Sequence, residues 1–380
     1  MAVPAFAESM AMFLGPEHAA LAARLTPFVA GWSIADHDAH RAVANLREAG
    51  AFGLVVPPAN VPGARVDVRG LCVARELIGY ASPLADSIFA VQGLGSHPIA
   101  MTPDFPGREA ILTEVASGAR VCAFALTEPE AGSDVGSMQT LARRDGDAWV
   151  IDGDKLYISN AGLAHHAIVF ANANPALGKK GISAFLVPTD APGLTITRVP
   201  MSLDHPLGRL EMRGCRVPAS ALVGEVGHGL RLALGTLDVF RTSVGAAACG
   251  MARRALDEAK NRVRARVQFG RPLADFQLTQ AAIADMATEL DAARLLVYRA
   301  AWHKDRGERA AVEVAMAKMF ATEAAQRIID RAVQLFGGLG VVAGTVVEQL
   351  YREIRPLRIY EGTTEIQKLI IGGALLGPEA

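Results

Sequence analysis

Five short stretches carry residues able to do chemistry. In "RIYEGTTEIQ", Arg358 to Gln367, the carboxylate of Glu361 stands between an aromatic and a glycine, close behind Arg352, Arg355 and Arg358. Withdrawn from water, such a group gains proton affinity and can serve as a general base; left in solvent it is one more surface charge, the commoner fate of a glutamate. Glu353 and Glu365 have the same intrinsic acidity, so residue type does not choose among them. "ALTEPEAGSD", Ala125 to Asp134, crowds hydroxyls, carboxylates, Pro129 and Gly132 into one loop. That loop can offer backbone N–H groups and the hydroxyls of Thr127 and Ser133 to an anionic or carbonyl-rich ligand, although an ordinary capped turn uses the same letters.

In "GDKLYISNAG", Gly153 to Gly162, strand alternation sets Tyr157 and Ser159 on one face, an aromatic plane beside a hydroxyl that suits a flat heterocycle. A half-buried surface strand reads the same way. "RARVQFGRPLADFQ", Arg264 to Gln277, makes Arg266, Arg271 and Gln277 available to phosphates, or else ends a helix in solvated charge. "QLFGGLGVVAG", Gln334 to Gly344, spaces its glycines superficially like a dinucleotide fingerprint. That motif must follow a strand and open a helix, whereas this run closes one, with Gly337 or Gly338 as the terminating residue; a Rossmann reading is rejected. His165 and His166 lack further ligands nearby, and no metal is expected.

The elements that hold these stretches come in three blocks. Residues 16–111 are alanine-rich with helical spacing: Val43, Leu46 and Ala49 share a face, and Gly50 offers a stop. From about 120 to 225, short β-branched or aromatic runs punctuated by Asp-Gly and Pro read as strands joined by tight turns. Helical period returns beyond "GEVGHG": Ile283, Met286, Leu290 and Val297 form one stripe, and 311–336 runs without Pro or Gly. Long helices with short links favour an antiparallel bundle. The expected domains are therefore 1–119, helical; 120–225, β; and 226–380, a four-helix bundle, in a mainly α fold with a central β domain.

The chain's 380 residues, 51% of them hydrophobic, are ample for more than one core, and no apolar run reaches the length of a membrane span. Lys+Arg 38 against Asp+Glu 39 gives a formal charge of -1, which excludes a global pull toward nucleic acid or anionic lipid. The four scattered cysteines read as reduced core residues, and the N-terminus lacks the pattern of an export signal, so a cytoplasmic location is expected.

In order and spacing, "ALTEPEAGSD", "QFGRPLADFQ", "QLFGGLG" and "IYEGTTEIQ" together resemble the acyl-CoA dehydrogenase family over nearly the whole chain. The resemblance implies an N-terminal α domain, a β-barrel-like middle domain and a C-terminal four-helix bundle, with FAD bound non-covalently between domains and across a subunit interface of a homotetramer, a dimer of dimers. Phe124, Leu126, Thr127 and Ser133, with Tyr157 and Ser159, would contact flavin or substrate. Arg266, Phe269, Gln277, Gln334, Gly337 and Gly338 of a neighbouring subunit would hold the pyrophosphate and adenosine, with Thr363 and Glu365 near the same ligand.

Glu361 would be the catalytic base, and Ser133, Phe240, Arg241, Tyr360 and Gly362 would line the acyl thioester. The implied reaction is α,β-dehydrogenation of an acyl-CoA or carrier-bound thioester to the trans-2-enoyl product, with electron-transfer flavoprotein as the usual acceptor. Some relatives carry the base immediately before the arginine found here as Arg241; that position is Phe240, which cannot take a proton and whose bulk favours short or branched acyl groups. Tyr157 stands where many relatives have tryptophan, and Ser159 where threonine is common. An oxidase or monooxygenase of the same superfamily is the alternative, followed by a non-catalytic assembly or nucleic-acid-associated relative; the near-neutral charge opposes the last.

Overall fold

The computed structural model describes residues 9–57 and 63–377. Helices come first: α1 (Pro16–Val29), α2 (Ala39–Glu48), α3 (Val68–Ala81), α4 (Pro83–Ala100) and α5 (Arg108–Ser117). Asp38 caps α2 by accepting from the N–H groups of His40 and Arg41, and Gly50, at φ 59°, turns the chain just beyond its end. Strands follow: β1 (Cys122–Ala125), β2 (Leu141–Asp145), β3 (Ala148–Ser159), β4 (His166–Asn172), β5 (Ile182–Pro188), β6 (Leu194–Arg198), β7 (Leu207–Pro218) and β8 (Leu222–Val223). The chain then returns to helix in α6 (Gly229–Ala265), α7 (Gln277–Asp305), α8 (Ala311–Phe336), α9 (Val346–Glu353) and α10 (Thr364–Leu376), with a small hairpin, β9 (Val267–Gln268) and β10 (Arg271–Pro272), between α6 and α7. Among the described residues no helix is long and apolar enough to cross a membrane.

Two compact units divide the chain: one holds the residues up to His37, Asp67–Asp86 and those from Arg241 onward; the other holds Asp38–Val66 and Ser87–Phe240. In the second, the strands run β6-β7-β3-β2-β4-β5-β8, mostly antiparallel, while β1 joins β4 in parallel ahead of β2 on the same edge. Trp149 of β3 and Phe185 of β5 are three strand spacings apart in this order, roughly 14 Å on a flat sheet. Their rings nevertheless meet at 5.3 Å. The sheet therefore curls around a core of Ile151, Val169, Phe185, Leu210 and Met212, all fully buried.

In the first unit, α3 and α6 cross with almost no side chain between them. A Cβ on Gly250 would fall 2.1 Å from the Glu76 carbonyl oxygen, and one on Gly79 would fall 2.8 Å from that of Ala247. The buried side of α8 is largely alanine, with Ala317, Ala321, Ala324 and Ala325 among its members, so neighbouring backbones approach closely. Glu76, fully buried at this crossing, is neutralised by Arg294 (2.9 Å) and Arg253 and accepts from the Tyr298 hydroxyl at 2.8 Å.

Candidate active site

Glu361 sits in a turn between a short 3-10 segment, Arg355–Arg358, and α10, whose N-terminus is capped by Thr363 accepting from the Ile366 N–H. Its backbone is left-handed, φ 53°, and so is that of Gly362, φ 91°. For a glutamate this costs on the order of 1 kcal/mol and persists only where the surroundings over-determine it. Here they do. Arg241 Nε of α6 donates to the Glu361 carbonyl at 2.9 Å; Lys318 Nζ of α8 and Gln367 Nε2 of α10 both donate to the Gly362 carbonyl, at 2.8 and 2.9 Å. A side chain at 362 would meet Gln367 Nε2 at 2.6 Å and displace that donor, while the positive φ itself favours glycine.

The carboxyl end of Glu361 is withdrawn from solvent, and its Oε2 has no hydrogen-bond partner among the described residues. Burial pushes its pKa up; Arg75, then Arg241 and Lys318, pull it down, and Asp86 reinforces the rise. Burial wins, which moves the carboxyl toward the proton affinity of a useful base. Arg75 contributes less than a free guanidinium would, because it lies fully buried in a two-pronged pair with Asp86 (2.9 and 2.7 Å) and also donates to Ser243 Oγ at 3.0 Å. It donates to the Tyr360 hydroxyl as well, and burial holds Tyr360 far above an ordinary phenol's pKa. Glu361, Tyr360, Gly362 and Arg241, expected together at the acyl group, are thus neighbours in one half-buried polar cluster.

In the β unit, the loop holding Thr127 and Ser133 is fixed from below by another buried pair. Lys155 Nζ donates to Glu128 Oε1 at 2.7 Å and to the Leu126 carbonyl at 3.1 Å, while the Glu128 carboxylate takes the N–H groups of Gln139 and Thr140. The Leu156 N–H donates to the Thr127 carbonyl at 2.9 Å, tying the loop to β3 beside Tyr157. Phe124 meets Phe170 edge-on, Leu126 is buried, Thr127 is half-buried and Ser133 is exposed. At Tyr157 the backbone turns left-handed, φ 59°, and the β3–β7 register shifts between Lys155 and Ile158, interrupting the alternation that would pair 157 with 159. A β-bulge re-aims a side chain: Tyr157 is 59% exposed and Ser159 half-buried.

A third group lies on the surface of the helical unit. Phe269 and Gly270, both at positive φ, make the two-residue turn of the β9–β10 hairpin, and Phe269 is 94% exposed. Arg266, Gln277, Gln334, Gly337 and Gly338 are exposed, and both glycines have open space where a Cβ would be. Arg262 covers the Phe336 ring, bringing the end of α6 beside the end of α8. Glu365 is exposed in the first turn of α10. Among the described residues, only Tyr157, Asn160, Phe269 and Glu361 are non-glycine residues at positive φ, and three of these four are residues singled out in the sequence.

Sequence reasoning missed Lys318, Arg75, Asp86 and the Glu128–Lys155 pair. A signal existed for one of them: Lys318 interrupts the buried stripe Val314, Ala321, Ala325 and Ile328 of α8, where a lysine needs a reason. Arg75 and Asp86 lie on two successive helices, and only folding brings them together.

Comparison with known proteins accounts for this arrangement. Residues 123–215 match the family described as acyl-CoA dehydrogenase, middle domain, and residues 227–376 its C-terminal domain. The chain is 40% identical over 339 residues to the human "Short-chain specific acyl-CoA dehydrogenase, mitochondrial", covering 88% of this chain and 82% of the relative. It superposes on butyryl-CoA dehydrogenase of Megasphaera elsdenii with a TM-score of 0.89 at 31% identity, covering 96% of this chain and 99% of that one. A glutaryl-CoA dehydrogenase of Mycobacterium smegmatis in complex with FADH2 gives 0.88 at 28% identity, covering 97% of both chains. With two family domains matched in order and most of the chain aligned, the protein belongs to the acyl-CoA dehydrogenases, FAD-dependent oxidoreductases of acyl thioesters.

Proposed function

We propose that this chain dehydrogenates a short or branched acyl-CoA, with Glu361 as the base that takes the α-proton. The carrying observation is the Glu361 carboxyl: solvent-withdrawn, without a partner at Oε2, raised in proton affinity, and held on a strained turn by two cations. As the Cα–H bond breaks, its electron pair moves toward the thioester carbonyl and then into the new Cα–Cβ double bond, while a β-hydrogen departs with its own pair. Bound FAD supplies the acceptor for that hydride. Negative charge growing on the thioester oxygen is stabilised by N–H donors aimed at it, and Glu361's own backbone N–H is our candidate.

The residues fit FAD. Tyr157 offers a largely exposed ring on a re-aimed backbone, with Ser159, Thr127 and Ser133 as hydroxyl partners at the flavin end. Exposed Arg266, Gln277 and Gln334, the open glycines 337 and 338, and the protruding Phe269 suit the phosphates and adenosine of a partner chain's cofactor. That sharing calls for a homo-oligomer, a homotetramer in our reading, and the four buried free cysteines favour a reducing compartment such as the cytoplasm. Electron-transfer flavoprotein is the proposed acceptor.

The residue expected to limit the acyl group is Phe240. Its ring is fully buried, edge-on to His97 at 5.6 Å, and fills the space beside Gly93, where a Cβ would lie 2.2 Å from Cε1. The likeness to a short-chain specific acyl-CoA dehydrogenase and to a butyryl-CoA dehydrogenase points the same way. Anaerobic titration of the yellow protein with saturated acyl-CoAs of increasing length tests both parts. Flavin bleaching fastest with short or branched chains is expected; a maximum at long chains would overturn the specificity, and no bleaching by any thioester the reaction.

A further inference from the structure

Lys318 is fully buried in α8, and among the described residues no carboxylate lies within ion-pair distance of its Nζ. Its hydrogen bond goes to the Gly362 carbonyl, at 2.8 Å. Burying an ammonium costs several kcal/mol, and a carbonyl repays that only in part. Holding the carbonyl does not demand a charge: the neutral amide of Gln367 already donates to the same oxygen at 2.9 Å. What Lys318 adds to Gln367 is a positive charge one residue from Glu361.

We propose that Lys318 is a positioning residue for the base: its ammonium secures the Glu361–Gly362 turn, and its charge keeps the buried Glu361 carboxyl ionisable near neutral pH. This rests on the reading of Glu361 as the base. Every charged group facing the pair enters the balance. Glu361 is faced by Arg75 of α3, Asp86 of α4, Arg241 of α6 and Lys318 of α8, with the Tyr360 phenol beside it. Lys318 is faced in turn by Glu361, Arg241, Glu323 and Glu365. Arg75 is committed to Asp86, and Arg241 shares Nε with the Glu361 carbonyl. Lys318 faces Glu361 from α8 with, among the described residues, no carboxylate within ion-pair distance, and burial lowers its pKa to about 8, still above neutrality.

The test compares Lys318→Met, which removes charge and hydrogen bond, with Lys318→Gln, which retains an amide donor for the carbonyl. Met approximates the volume of Lys without a charge to bury, and FAD content and melting temperature establish that each variant is folded. The readout separate from turnover is the infrared band of the protonated Glu361 carboxyl in the ligand-free holoenzyme, assigned by its absence in Glu361→Gln and titrated against pH. Both variants should raise the midpoint by about one pH unit or more. Flavin bleaching below neutral pH should slow in both, more in Met than in Gln. Midpoints unchanged in both variants would overturn the role of Lys318 while leaving the base assignment intact. Undiminished bleaching by Glu361→Gln would remove the base assignment itself.

Discussion

A carboxyl that must take a proton from carbon needs to be a stronger base than it is in water, yet still charged when substrate arrives. At Glu361 burial supplies the first condition, and Arg75, Arg241 and Lys318 limit how far it goes. The balance is measurable as stability. Folding raises this carboxyl above its ordinary value of 4.5, so the folded protein binds more protons than the unfolded one between the two values, and stability falls as pH climbs through that window. Measured against Glu361→Gln by chemical denaturation, wild type should lose stability from about pH 4.5 upward, by about 1.4 kcal/mol per pH unit until the folded midpoint is passed; a constant difference would contradict the electrostatic account. The glutamate itself was legible in "IYEGTTEIQ" only through the family's order of signatures, since Glu353 and Glu365 are chemically equal to it. The cations were not legible. Their effect depends on where α3, α6 and α8 pass one another, which side-chain periodicity does not encode.

Two elements hold the chemistry by tight geometry. Where α3 crosses α6, Gly250→Ala would drive a methyl to 2.1 Å from the Glu76 carbonyl oxygen, backbone that cannot swing aside. The expected loss is about 2–3 kcal/mol by denaturant titration, from strain of the overpacking kind; a wild-type midpoint would show that the crossing opens without cost. In the β unit, the loop from Leu126 to Thr140 depends on Lys155, whose pKa burial lowers to about 8 even with Glu128 opposing. Lys155→Met strands Glu128 without its counter-charge, and we expect about 3 kcal/mol of destabilisation with roughly tenfold weaker FAD retention in dialysis; unaltered retention would detach the pair from cofactor binding. The strands themselves were legible, because Asp-Gly at 146 is not disguised: Asp145 and Ala148 pair across it. What alternation missed is the bulge at Tyr157, a left-handed residue that no period-2 pattern announces.

On the scale of the whole molecule, the helical unit leaves large apolar side chains in water: Phe269 at 94%, Leu278 at 87% and Val341 at 75% exposure. The proposed sharing of FAD between copies would cover these side chains, since exposed apolar surface gathered into a patch is where chains meet. Sedimentation should give a homotetramer, and Leu278→Lys with Val341→Lys should shift it to smaller species that lose FAD; a monomer that keeps its flavin would contradict the shared site. The order helices, strands, helices was readable from periodicity alone, whereas the curl that brings Trp149 to Phe185 was not, being a property of the closed core. The most direct test of the account is rapid anaerobic mixing of a short acyl-CoA with wild type and with Glu361→Gln, each carrying FAD. The variant should keep its yellow colour and bind the thioester while flavin reduction slows by about 10³-fold or more; reduction at the wild-type rate would remove Glu361 as the base.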